Sequence, residues 1–305
     1  VAASGALATR MGLAGVPVAA ETIALHTIFE LIRGSQTRVH LCRISSAAGV
    51  ELVRRAKAEG LNVTADVSIN SLLLTENDIG YFDSCARVVP VLRQQRDRDA
   101  LSAALADGTI DALVSDHCPV DEDAKVLPFA EAEPGATGVE LLLSIAVKWS
   151  RDYKVPLNRA LAVVTSAPVA VLGSALGEQQ SLLGQLKVGG VADLCIVDPA
   201  AEWTVEPKAL ASQGKSTPFA GYELPARVRC TVVDGEIYYR ENSIMTQVEL
   251  SDNAKGRVTG MVELRQIVND LIQQQLEDYP DADIKATQER LNAAYDAFTA
   301  KYGLL

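Results

Sequence analysis

The sequence predicts an α/β fold built on a parallel sheet, followed by a smaller β domain and a helical tail. Three observations predict it. Strand-like and helix-like segments alternate through the first two-thirds of the chain, the pattern of a parallel sheet, open or closed as a (β/α)8 barrel. After Gly173 the apolar residues fall into short segments closer to period two. Beyond Ser243 they return to helical spacing. The implied domains are residues 1–173, 174–242 and 243–305.

Each element has its own signal. Residues 16–33 read as a helix with Pro17 near its first turn and Gly34 as its stop. RVHLCRI (38–44) is strand-like, 47–59 is helical and ends at Gly60, and NVTADV (62–67) is a second strand. A charged amphipathic helix over 97–106 precedes a third strand, DALVS (111–115). Helices follow over 137–149 and 157–164. The β-rich part holds ADLCIVD (192–198), EWTV (202–205), RVRCTVVDG (227–235) and EIYY (236–239). In the tail, Val262, Leu264, Ile267, Val268, Leu271 and Ile272 form one apolar stripe. Tyr279-Pro280 breaks it, and Leu291, Tyr295, Phe298 and Tyr302 form another, so 261–303 reads as a helical hairpin.

Composition bounds the partners. The chain has 305 residues, 48% hydrophobic and 22% charged, with a net charge of −11. That is enough apolar content for a substantial core, and an acidic surface disfavours nucleic acid and acidic lipid. No apolar run reaches the roughly 18 residues needed to span a bilayer, and no signal-peptide pattern is evident. The five cysteines are widely spaced and form no C-x-x-C pair, which suits a reduced, cytoplasmic protein. The start at Val1 suggests a fragment of a longer chain.

The strongest motif is Asp116-His117-Cys118-Pro119, directly after DALVS. The C-terminal end of a barrel strand is where such barrels carry their chemistry. An aspartate there also serves as a plain cap or turn residue. The surrounding stretch decides between the two. DGTIDALVSDHCPVDEDAK, with Lys125 nine residues past the aspartate, and then LPFAEAEPGATGVE resemble the D-G-x-I-D-x-x-x-[ST]-D-H-x-P-H pattern and glycine turn of dihydroorotases and the wider cyclic amidohydrolases. RVHLCRISSAAGVELVRRAKAEGLNVTADVS, GQLKVGGVADLCIVD and STPFAGYELPARVRCTVVDGEIYY resemble further segments of that family, in order.

The resemblance covers nearly all of residues 1–240. It implies a partial (β/α)8 TIM barrel of the metal-dependent hydrolase type with a small β-sandwich. The implied enzyme is a hydrolase acting on cyclic amides, interconverting carbamoyl aspartate and dihydroorotate with zinc to polarise the carbonyl and activate water. Asp116 takes the position of the general base. Pro134 and Gly135 fall in the glycine turn near substrate, with Gly138 beyond them. By the resemblance, residues 1–172 hold the last three of eight strands, which cannot close a barrel. More chain upstream, or a partner covering the open edge, is therefore expected.

The departures from the family pattern concern metal. No H-x-H pair exists among His26, His40 and His117. The metal-ligand histidine of the H-[VI]-S-[ST] strand is Arg43, a permanent cation without a lone pair to donate. The T-P-H-H segment reads Ser68-Ile69-Asn70-Ser71, the substrate histidine of D-H-x-P-H is Val120, and the asparagine of N-P-P-L-R is Val89. These changes imply a noncatalytic member that expects no metal, with Arg43 supplying the positive charge beside Asp116 from a neighbouring strand end. The resemblance implies aspartate transcarbamoylase as the partner of such a chain. An active zinc enzyme with ligands outside this chain is the alternative. A second alternative follows from the tail, whose R-L-N-x-x-Y-D-x-F-x-x-K-Y-G signature resembles a helical segment of mobile-element helicase–methyltransferase proteins.

Other residues read plainly. His40 is a core or supporting residue, His117 structural, and His26 a surface or packing residue. Cys42 and Cys118 lie near the mouth without histidine partners for a zinc site. Arg93, Arg96 and Arg98, interleaved with Asp97 and Asp99, read as a solvated helix face.

Overall fold

A computed structural model describes residues 1–241 together with Glu289 and Ala293. The expected hairpin over 261–303, and with it the helicase-like signature, lies outside the described residues apart from those two helical positions.

The chain opens with a two-residue strand β1 (Ala2–Ala3), a short helix α1 (Ala6–Met11) and β2 (Gly15–Val16), which pairs parallel with β1. The long helix α2 (Ala19–Ser35) follows. It runs through Gly34, the expected stop, and ends where Gln36 turns into the left-handed region (φ 55°). A single glycine in a last turn costs about 1 kcal/mol and does not by itself end a helix.

The central sheet is β3 (Val39–Leu41), β4 (Val63–Ser68) and β5 (Ala112–Val114), all parallel and in the order β3-β4-β5. Helix α3 (Ala47–Ala58) crosses from β3 to β4. Ser46 caps it by accepting from the Gly49 amide at 2.9 Å, and Val50, Val53 and Ala56 form its buried stripe. Arg55 and Lys57 sit favourably at its C-terminal end, and Gly60 (φ 84°) makes the turn into β4. Directly at the end of β4 the chain coils into α4 (Ile69–Leu73), capped by the Ser68 hydroxyl. Helix α5 (Gln95–Asp107) then leads into β5.

After β5 come α6 (Glu122–Lys125), α7 (Leu142–Tyr153), α8 (Leu157–Ala162) and α9 (Ser166–Leu172). Trp149 of α7 is fully buried and donates to the Ser102 hydroxyl at 2.7 Å. The Arg38 guanidinium donates to the carbonyls of Ala170, Val171 and Leu172 and so closes the end of α9. Residues 157–181 are long and apolar enough by composition to cross a membrane, a stretch the sequence reading passed over. The backbone breaks helical geometry at Thr165, Gly173 and Gly177, so the stretch is a series of short helical pieces.

A second sheet, β6 (Leu194–Thr204), β7 (Glu223–Val233) and β8 (Glu236–Arg240), has the order β6-β7-β8, with β7 and β8 antiparallel. The two segments expected at 192–198 and 202–205 are one continuous strand through Pro199. As an edge strand, β6 tolerates a residue without an N–H.

The chain divides into two compact units. The first is Val1–Gly173 with Glu202–Pro225, and the second, among the described residues, is Ser174–Ala201 with the chain from Ala226 to Glu241. The first unit's core includes Phe29, Val53, Leu105, Trp149 and Phe219. The second has a small core of Cys230 and Val232 packed with Leu194, Ile196 and Ile237.

Candidate functional site

The C-terminal ends of β3, β4 and β5 converge on one mouth. Arg43 follows β3 and Asp116 follows β5, and both hold non-glycine backbone in the left-handed region (φ 59° and 48°). Such conformations cost roughly 1–3 kcal/mol each and persist where surrounding contacts hold them. At Arg43 that contact is its own N–H, which donates to the Asp66 carboxylate at 2.6 Å.

The Arg43 side chain reaches across the mouth to Asp116 at 3.1 Å, and the same nitrogen donates to the Val89 carbonyl at 3.1 Å. The two partners are not on adjacent strands as expected. Strand β4 lies between β3 and β5, and Asn70, just past its end, hydrogen-bonds Asp116. Asp116 is mostly buried, and burial holds its carboxyl above the usual carboxylate range despite the pull of Arg43 and Asn70 in the other direction.

Beside this pair lies a cleft of about 510 Å³ lined by Glu21, Arg43, Ser45, Arg87, Val89 and Arg93 among others. Its one carboxylate is fully engaged. Glu21 accepts from the amides and hydroxyls of both Ser45 and Ser46 at 2.5–3.1 Å. Arg93 is buried and donates to the Ser45 hydroxyl and the Val16 carbonyl, so it is not part of a solvated face. Arg96 is the exposed one of that group. Burial lowers the Arg87 pKa, and its buried Nε has no hydrogen-bond partner among the described residues. The cleft wall is therefore cationic and suited to anionic groups.

Residues 14–239 match the amidohydrolase family model. The chain belongs to the amidohydrolase family. Its relatives include a dihydroorotase-like protein of Pseudomonas putida, 43% identical over 78% of this chain and 54% of that protein. A dihydroorotase of Thermoanaerobacter is 35% identical over 81% of this chain and 56% of that enzyme. The chain thus spans about half the length of the curated relatives it matches. Among solved structures, an L-hydantoinase from Arthrobacter aurescens superposes with a TM-score of 0.66 at 25% identity, over 73% of this chain and 49% of that one. A D-hydantoinase from Thermus gives 0.66 at 22% identity, over 73% and 49%.

Within that family frame, the zinc that the resemblance implies does not fit the residues at the mouth. The Arg43 guanidinium lies against Asp116, where a divalent cation would face both a permanent positive charge and a donor-only side chain. Of the histidines, His26 is exposed on α2. The Nδ1 of His117 accepts from the amides of Gly138 and Val139 and so serves as a loop support. His40, expected to be a core or supporting residue, is half-buried and lies on β3 facing Asp66. Ile69 and Asn70 are buried at the start of α4, and Val120 is buried as well.

The glycine turn is placed by sterics. Gly135 (φ 147°) donates to the Arg87 carbonyl, and a Cβ there would sit 2.6 Å from the Cys118 carbonyl oxygen. Pro134 precedes it in the same loop. Lys125 is buried and donates to the carbonyls of Ser84 and Arg87, which ties the Val89 loop to α6. Nothing in a helix-start glutamate such as Glu21 signals its engagement with Ser45 and Ser46 more than twenty residues on, and sequence reasoning missed it.

Proposed function

We propose that this chain is the C-terminal part of a dihydroorotase-like protein of pyrimidine biosynthesis that has lost metal-dependent catalysis at the barrel mouth and serves as a structural partner of aspartate transcarbamoylase. The observation that carries the reading is the Arg43–Asp116 pair at 3.1 Å. A guanidinium takes over the electrostatic role of a metal beside the general-base position, while supplying neither a Lewis acid nor an activated water. Relatives named dihydroorotase-like protein support it.

In this reading the residues of the mouth keep their shape without their reaction. Asp116 is held by Asn70 and Arg43, the Val89 loop is tied down through its carbonyl, and Gly135 lets the following loop pass close to Cys118. Pro134 and Gly135 bound the space where a substrate would lie.

The test uses the purified chain, with and without added zinc, in both directions of the dihydroorotate reaction. It also uses gel filtration with the aspartate transcarbamoylase catalytic subunit of the same cell. No turnover and co-elution are expected. Turnover abolished by Asp116→Asn overturns the loss of catalysis, and separate elution overturns the partnership.

A second reading is an active zinc dihydroorotase whose remaining ligands lie outside this chain. One observation favours it: Asp116 is retained with its carboxyl pushed up by burial, as a general acid–base needs. Under it, Arg43→His raises activity in the presence of zinc. Under the first reading that variant stays inactive.

A further inference from the structure

A second group of ligand-type side chains lies away from Asp116. His40 lies on β3 and Cys42 comes two residues later, just past the strand's end. Asp66 lies alongside on β4, one position beyond the Leu41–Ala65 pair. One ligand atom from each of the three falls within 4.8 Å of the other two. Alternate residues of these strands, Leu41, Ala65 and Val67, are buried in the apolar core, so the sheet turns a polar face opposite it.

The hydrogen bonds leave the right atoms available. Asp66 Oδ1 is taken by the Arg43 amide, while Oδ2 meets His40 Nε2 at 2.9 Å. The carboxylate can only accept, so Nε2 carries the proton and Nδ1 accepts from the Thr64 hydroxyl at 2.8 Å. A hydroxyl both donates and accepts, so Thr64 supports the reverse arrangement equally well. With Nδ1–H donated to Thr64, the Nε2 lone pair is free for a metal, the second-contact pattern of ligating histidines. Asp66 is fixed and buried, His40 is half-buried, and Cys42 is exposed and able to swing inward.

We propose that His40 Nε2, Cys42 Sγ and Asp66 Oδ2 form a binding site for zinc or a similar borderline-soft divalent ion, distinct from the position that Arg43 fills. Sulfur, nitrogen and oxygen donors together select zinc over magnesium or calcium. Tetrahedral coordination at ordinary zinc distances brings the donors to roughly 3.4–3.7 Å from each other. The His40–Asp66 pair, at 2.9 Å, opens by about half an ångström as its hydrogen bond gives way to the ion, and the contraction falls on the exposed Cys42 side chain. A thiolate and a carboxylate balance the divalent charge, with the imidazole neutral. The thiol proton leaves to solvent on binding, about one proton per ion when His40 is neutral. Water takes the fourth position.

The experiment is a titration of the purified, metal-stripped chain with cobalt(II), read by the near-ultraviolet thiolate-to-cobalt charge-transfer band and the visible bands of tetrahedral cobalt, followed by competition with zinc. The wild-type chain is expected to show both bands, with one ion bound. Cys42→Ser loses the charge-transfer band, Thr64→Val weakens binding by about 10–100-fold, and Cys118→Ser keeps both bands. No band in the wild-type chain, a band that survives Cys42→Ser, or one that disappears in Cys118→Ser overturns the site. Cobalt binding is read without turnover, so its failure and the failure of the proposed function are separate results.

Discussion

Replacing Arg43 measures what the guanidinium contributes to the mouth. At about 4 Å between charge centres, its attraction to Asp116 is about 1 kcal/mol in water and about 4 kcal/mol at an effective dielectric near 20. Arg43 keeps 43% of its side chain exposed while Asp116 keeps 12%, which places the pair nearer the aqueous limit, at about 1–2 kcal/mol. Arg43→Ala is expected to lose that amount in urea unfolding at neutral pH. Arg43→Lys keeps the charge but gives up the planar guanidinium whose Nη1 serves Val89 and Asp116 together, so it falls between. The pH dependence adds a second check. Burial raises the Asp116 pKa in the fold. Its contribution is therefore most favourable below the ordinary carboxylate range and declines as pH rises through the folded value. Arg43 limits that decline. The gap between wild type and Arg43→Ala is expected to be full at neutral pH and to narrow toward about pH 4 as the carboxyl takes up its proton. Equal stability of the alanine and lysine variants, or a gap that does not change with pH, refutes the reasoning.

Other parts of the site give shorter tests. Glu21→Ala removes an acceptor for four donors at Ser45 and Ser46 and is expected to cost about 2–4 kcal/mol by urea unfolding. Gly135→Ala forces a Cβ to 2.6 Å from the Cys118 carbonyl at a φ of 147° and is expected to cost at least about 2 kcal/mol; an unchanged midpoint would show that the loop yields. Asp116→Asn removes a buried charge, so it is expected to be near-neutral in stability. The double variant with Arg43→Ala should then match Asp116→Asn alone, and additive losses would show that the two side chains do not interact.

The legible parts of the fold were those where local chemistry and tertiary packing agree. The helical spacing over 47–59 and the stop at Gly60 announce α3, and the structure places its ends within a residue of that reading. Arg43 and Asp116 were legible as partners because each directly follows a strand, and parallel strands end on the same side. The intervening β4 was not, because strand order within a sheet depends on packing that no single segment encodes. Arg93 was misread for a related reason. Its neighbours Arg96 and Arg98 carry the helix-face pattern, whereas Arg93 precedes α5 and turns inward to Ser45. Pro199 hid the continuity of β6, since proline reads as a strand breaker unless the strand is known to be an edge. The His40, Cys42 and Asp66 group was half-visible: the two-residue spacing is plain, but Asp66 joins only through the register of β3 against β4.

The mouth sets a mostly buried carboxylate against a guanidinium, and the physics says why the two go together. A half-closed pocket that keeps a carboxylate at Asp116 carries a burial cost whenever that carboxylate ionises. With no opposite charge beside it, the aspartate would be uncompensated. Arginine at position 43 offsets part of it without any ligand to recruit, because its charge is permanent and the same Nη1 also satisfies the Val89 carbonyl. That arrangement requires the guanidinium to leave β3 at the right angle. The left-handed backbone of Arg43, fixed by the Asp66 carboxylate, provides the angle. Asp66 thereby links the ion pair to the neighbouring cluster. One of its oxygens holds Arg43 in the pose that answers Asp116, and the other faces His40 in the cluster proposed to bind metal. A substitution at Asp66 should therefore disturb both the ion pair and the cobalt spectrum, whereas Cys42→Ser should disturb only the second.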